Sequence, residues 1–153
     1  MELPKTFDEF LDVCTTFQNA GVTPLAAGLK SWEPLLKSSM AFVTAEYLST
    51  DEGKGFGEKY RNGEVTMDGT WNPYIETWSQ LIDNGVYTAD MTGIDHDQAL
   101  EQFATGGSAM FCSGPWDYDA IMEKNPELQL DMMPFYGTKE SAGWLLSLIH
   151  ISE

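Results

Sequence analysis

FATGGSAMFCSGPW, Phe103–Trp116, runs from a helix end through a turn and a short strand to a strand break. Phe103 closes an apolar helical face, and Gly106-Gly107 supplies the left-handed backbone of a helix stop and turn. Ser108 to Cys112 is a small-to-apolar run of strand length. Gly114-Pro115 then breaks the strand and delivers Trp116 to the corner where a loop gives way to a new helix. In open α/β sheets, ligands bind outside the carboxyl ends of the strands. An indole ring at that corner is a candidate platform for a small molecule.

Outward from this stretch, the chain of 153 residues is long enough for one domain with a real core. Its 24 acidic and 8 basic side chains leave a formal net charge of −16, which offers no basic footprint for nucleic acid and is repelled by anionic membranes. No stretch approaches the roughly 18 continuous apolar residues of a membrane span. The opening MELPKTFDEF has neither a basic nor an apolar signal-peptide region. Cys14 and Cys112 are too few for a disulfide framework. Each lies on an apolar face, which favours buried free thiols and leaves a single bridge as the alternative.

Thr6-Phe7-Asp8-Glu9 is a capping box, and Phe7, Phe10, Leu11, Cys14 and Phe17 follow at helical spacing up to a stop at Gly21. Val22 to Ala27 reads as a short strand. After the loop Gly28–Ser31, Ser31 is the expected N-cap of a helix running to about Thr50, with an apolar stripe of Leu35, Leu36, Met40, Val43 and Tyr47. Asp51 to Gly69 carries five glycines and reads as surface loop with room for a short helix. Asn72-Pro73 opens a helix whose core face is Tyr74, Ile75, Trp78, Leu81 and Ile82, ending at Gly85. Asp95 with Gln98 repeats the N-cap signature ahead of Ala99, Leu100 and Phe103. A helix from Trp116 to Lys124 and a strand from Leu128 to Phe135 complete the pattern. The order predicts a helix-rich α/β fold with short strands. Trp144 to Glu153 fits it poorly, because nothing remains after it to pair with.

His96 and His150 have no partner at metal spacing, and no phosphate loop or dinucleotide fingerprint is present, so neither metal nor cofactor is expected. Asp117 and Asp119 stand two apart on a helix and cannot flank a glycosidic bond as a catalytic pair. The tryptophans carry the remaining signal. Trp116, Trp32 and Trp144 each lie at a junction beside Gly, Ser or Pro, whereas Trp78 sits in an apolar stripe and belongs to the core. Exposed indoles at strand ends suit a sugar, whose C–H face lies on the ring while its hydroxyls bond to polar groups. Asp117 and Lys30 are placed to supply such bonds. Packing of all five rings against loops is the opposing reading.

Pro4-Lys5-Thr6-Phe7-Asp8-Glu9-Phe10 and Ala20-Gly21-Val22-Thr23-Pro24 resemble the P-x-T-[WF]-[DE]-E-[FL] and G-x-T-P segments of family 1 extracellular solute-binding proteins. These are the maltose-binding-protein-like, sugar-capturing components of ABC importers. Phe103–Phe111 resembles the family's F-x-x-G-x-x-A-M segment, Gly114-Pro115-Trp116 its G-x-W, and Met133-Pro134-Phe135 its M-P-[FL] strand. With the first two taken as one segment, all four agree in order and spacing across residues 4–136.

The resemblance implies a type II periplasmic-binding-protein fold, of which residues 1–146 would be most of the second, helix-rich lobe and therefore incomplete. It implies a missing first lobe upstream, and an extracytoplasmic location, in the periplasm or lipid-anchored on the outer face of the membrane. The implied partners are a sugar or oligosaccharide and the permease subunits of an ABC importer, with no catalysis. It maps the stacking indole to Trp116 and a cleft-lining indole to Trp32, with a weaker match at Trp144. Residues 147–153 depart from the family pattern; SLIHISE resembles translated sequencing-adaptor sequence and is expected to be a non-native tail. The alternatives are a carbohydrate-active enzyme module and a ligand-free helical interaction domain.

Overall fold

The computed structural model describes residues 3–134 and the strand 146–150. Trp144 and Phe135 lie outside the described residues. Helix α1 spans Phe7–Asn19, and the Thr6 capping box is formed: the Glu9 N–H donates to Thr6 Oγ1 at 3.2 Å and the Thr6 N–H donates back to Glu9. Gly21, at φ 75°, turns the chain into strand β1, Thr23–Ala26. Helix α2, Glu33–Val43, then widens into a π-helical turn over Thr44–Leu48.

The expected loop from 51 to 69 carries two short helices, α3 (Phe56–Arg61) and α4 (Met67–Thr70). Next come α5 (Asn72–Trp78) and α6 (Gln80–Asp83). Because the helix breaks at Ser79, Leu81 turns inward while Ile82 faces solvent, against the expectation of a core role for Ile82. Leu36, assigned to the apolar stripe of α2, is likewise exposed. Helix α7, His96–Ala104, starts at a complete Asp95–Gln98 capping box and leads into strand β2, Ser108–Phe111. One turn at Pro115–Asp117 precedes α8, Tyr118–Lys124, and strand β3, Leu130–Pro134.

The sheet order is β1-β2-β4-β3, with β4 being Leu146–His150. Strands β1 and β2 are parallel, Leu25 opposite Met110 and Ala26 opposite Phe111. Strand β4 runs antiparallel to both β2 and β3. The expectation that nothing remains for the last residues to pair with is therefore corrected: two neighbouring strands each offered a free edge, and β4 fills the space between them.

Residues of β1 and β2, with Ala27 and Cys112 just past their ends, enter two separate cores. Leu25, Ala27, Met110 and Cys112 pack with Phe7, Phe10, Cys14, Phe42 and Leu81 on one face. Ala26 and Phe111 pack with Leu100, Phe103 and Ile121 on the other. Burial on both faces explains why β2 is apolar or small at every position rather than alternating. Cys14 and Cys112 are both buried free thiols.

Candidate functional site at the carboxyl ends of β1 and β2

Because β1 and β2 are parallel neighbours, the loops that follow them leave from the same edge of the sheet. The first runs from Gly28 to Trp32 and the second from Ser113 to Trp116. Both rings are well exposed, Trp32 at 68% and Trp116 at 63%. Two of the three indoles singled out by their junction positions are thus delivered to one edge by the topology, and neither is packed into the interior.

The first loop is held by its backbone. The Lys30 N–H donates to the Ile94 carbonyl at 3.1 Å, and the Ser31 N–H to that of Gly28. Gly28 lies so close to the start of α7 that a Cβ there would fall 2.8 Å from the Asp95 carbonyl group and from the His96 nitrogen. The N-cap of α2 is Trp32 and not Ser31 as expected, because the chain turns helical one residue later; Ser31 Oγ still accepts the Glu33 N–H of the first turn at 3.3 Å. Pro34 fits in that turn because its missing N–H would have no helical partner. Lys30 is exposed on this loop.

The second loop holds its indole from two sides. Gly114 lies against the ring: a Cβ there would sit 2.3 Å from Cη2 and 2.4 Å from Cζ3 of Trp116. From α2, the Lys37 ammonium stands 4.5 Å from the ring centroid. That contact contributes about 0.5–1 kcal/mol at an exposed site. Lys37 also pairs with Glu33 one turn earlier, at 3.5 Å. The helix that begins beside Trp32 therefore also reaches the ring of Trp116.

Asp117 does not join this surface. It is buried, its carboxylate accepting the Ser113 hydroxyl and standing 3.1 Å from His96 Nε2. The single turn after Gly114 sends consecutive side chains opposite ways, so Trp116 faces out and Asp117 folds back beneath its own loop. Its assignment as a hydroxyl-binding group is corrected to a contact within the protein. Of the five residues nominated from sequence, Trp116, Trp32 and Lys30 are exposed on loops at this edge, Asp117 is turned inward, and Trp144 lies outside the described residues. Sequence reasoning missed Lys37, Glu33 and His96. The Asp95–Gln98 capping box located the start of α7 but carried no signal of what faced it.

Two sets of uncharged polar contacts lie in the core that packs against α2 and the end of β2. Trp78 Nε1 donates to Ser38 Oγ at 2.8 Å, and the Ser38 hydroxyl donates to the Pro34 carbonyl at 2.8 Å. Tyr87 Oη and Cys112 Sγ are 3.9 Å apart. Burial pushes the Cys112 thiol up to about 12 and the Tyr87 phenol well above its usual range, so both stay neutral at ordinary pH. Among the described residues no cluster of His, Cys, Asp or Glu could hold a metal. Surface hollows of about 410 Å³, lined by Thr23, Pro24 and Gly85 among others, and about 550 Å³, lined by Tyr47, Glu52 and Lys59 among others, include neither exposed tryptophan.

The described residues form a helix-rich, partial α/β lobe with two exposed indoles on the carboxyl edge of a parallel strand pair. The chain belongs to the bacterial extracellular solute-binding protein family, whose model matches residues 2–150. Solved structures agree on the fold. A protein of Caldanaerobius polysaccharolyticus described for xylan utilization is 22% identical, with a TM-score of 0.75 over 97% of this chain and 40% of its own. A family 1 extracellular solute-binding protein from Bifidobacterium longum subsp. infantis is 21% identical, with a TM-score of 0.75 over 99% and 40%. A sugar transporter of Bacillus licheniformis, in complex with stachyose, is 17% identical, with a TM-score of 0.72 over 100% and 42%. The chain thus spans about 40% of the length of these relatives. No curated protein matches it in sequence.

Proposed function

We propose that this chain is most of the second lobe of an extracytoplasmic protein that captures a sugar or oligosaccharide and delivers it to an ABC importer. The observation that carries this reading is the exposed Trp116 ring, backed by Gly114 and Lys37 and standing on the same sheet edge as Trp32. Such a ring offers a flat apolar face with polar groups at its rim, which suits a pyranose. The family match and the stachyose and raffinose complexes of structural neighbours support a sugar as the solute.

In this reading a first lobe closes over the edge and buries the ligand between the two, with no bond made or broken. Trp116 stacks on the sugar, Trp32 lines the cleft, and Lys30 reaches a hydroxyl. Permease subunits at the membrane receive the closed complex.

The test is calorimetric titration of a longer protein that includes the preceding lobe, using stachyose, raffinose and a non-sugar solute. A sugar is expected to bind, and Trp116→Ala to weaken it by about 1–3 kcal/mol, with base–aromatic stacking as the analogue. The isolated chain, with half the contacts, is expected to bind weakly or not measurably. Equal affinity of the isolated chain and the longer protein, or an unchanged affinity for Trp116→Ala, would contradict the proposal.

A further inference from the structure

The two tryptophan loops share one anchor that neither contains. The start of α7, Ile94 to His96, bonds to both. Its Ile94 carbonyl accepts the Lys30 N–H, and its Asp95–His96 peptide is the surface on which Gly28 rests without room for a Cβ. Those contacts fix the loop that leads to Trp32. The adjoining His96 side chain reaches the other loop, its Nε2 3.1 Å from the carboxylate of Asp117, the residue after Trp116.

The His96 contact is directional and part-buried. Nε2 must carry the hydrogen in order to donate to a carboxylate. The ring lies beside Phe111 at 5.5 Å between centroids, which limits how it can turn. Ser113 donates its hydroxyl to the same carboxylate from four residues earlier, closing the turn that bears Trp116. Ser113 thus shapes the turn internally, and His96 ties the shaped turn to a second element, 21 residues away in sequence.

We propose that His96 is a positioning residue for Trp116, and that the Ile94–His96 segment sets the placement of Trp116 relative to Trp32. This deepens the sugar-binding reading and rests on it for its functional meaning. The mechanical claim is tested without any sugar, so failure of one is distinguishable from failure of the other. In these terms Asp117 contributes by fixing the backbone next to the indole, and its burial is the means by which it does so.

The experiment uses the full chain labelled with 5-fluorotryptophan, with the Trp116 and Trp32 fluorine resonances assigned by Trp116→Phe and Trp32→Phe. His96→Ala is expected to broaden the Trp116 line roughly twofold or split it, as a loop exchanging on the microsecond-to-millisecond scale does. The Trp71 and Trp78 lines should hold still. His96→Gln, which keeps a side-chain N–H donor, is expected to restore the single line. Gly28→Ala, which must push the Asp95–His96 peptide away, is expected to move the Trp32 and Trp116 lines together. An unchanged Trp116 line in His96→Ala overturns the proposal. So does equal broadening of all the tryptophan lines, which would mark a general loss of structure. If His96→Ala fails to fold, His96→Phe replaces it as a ring of similar size with no N–H donor: a broadened Trp116 line alone supports the proposal, and an unchanged one overturns it.

Discussion

Gly114→Ala should disturb the ring of Trp116 while sparing the fold. The new Cβ would lie 2.3 Å from Cη2, and ordinary contact begins at 3.4 Å, so the ring edge must retreat by at least 1.1 Å. The obstructing atoms are the tip of a side chain that is 63% exposed, so the ring can swing outward with little resistance from neighbours. The swing forfeits the Lys37 contact, which sets the scale of the stability cost at about 0.5–1 kcal/mol. The φ of Gly114 is −151°, within reach of alanine, so no backbone strain adds to this. A cost of that size lowers the melting temperature of a chain this long by only a few degrees, about 2–4 °C per kcal/mol. The ring's environment should nevertheless change clearly. The near-ultraviolet circular dichroism of each protein, minus that of its Trp116→Phe counterpart, isolates this one indole. The expected result is an altered difference spectrum with a nearly unchanged melting temperature. An unaltered difference spectrum would refute the packing of Trp116 on Gly114. A fall in melting temperature as large as that of a core truncation would refute the ring's freedom to move.

Other expectations follow from the packing and the caps. Phe103→Ala, which empties a fully buried site beside Phe111 at 5.8 Å, should cost about 3–5 kcal/mol in denaturant unfolding. Asp95→Ala should cost about 1 kcal/mol by the same measurement, since it removes the side chain that accepts the Gln98 N–H. Burial raises the Cys14 and Cys112 thiols from 9.0 to about 12, so the native chain favours their neutral forms. That contribution is complete below about pH 9 and is lost as the pH climbs toward 12. Stability should therefore fall over this alkaline window, and a thiol-specific reagent should label the native chain far more slowly than the denatured one. Deleting residues 147–153 removes most of the strand that separates β2 from β3. It should destabilise the chain by about 1 kcal/mol per backbone hydrogen bond lost. An unchanged melting temperature would instead suit a tail foreign to the fold.

Much of this arrangement was legible in the sequence, because it rests on local chemistry. Thr6–Glu9 and Asp95–Gln98 each announce a helix start within four residues, and both capping boxes form. Gly21, Gly85 and Gly106 stop helices with the positive φ expected of them. The run Ser108–Phe111 became a strand buried on both faces, and Gly114-Pro115 delivered an exposed indole. What sequence reading missed depends on contacts across the fold. Nothing near Asp117 in sequence tells of His96, and nothing near Trp116 tells of Lys37. Asp117 looked available because acidic residues are normally solvated, and it is turned inward by a single turn of backbone. Leu36 followed the stripe of α2 yet stayed exposed, at the end of the helix that borders the candidate site. Strand β4 could not be foreseen, since its pairing depends on edges left open by β2 and β3.

As proposed, the indole at 116 is the floor on which a sugar rests. The most direct test is the acrylamide quenching of Trp116 in the longer protein, isolated by difference against Trp116→Phe, with and without a saturating oligosaccharide that calorimetry shows to be bound. The bound sugar should shield this ring from the quencher. Equal quenching with the sugar in place would contradict it.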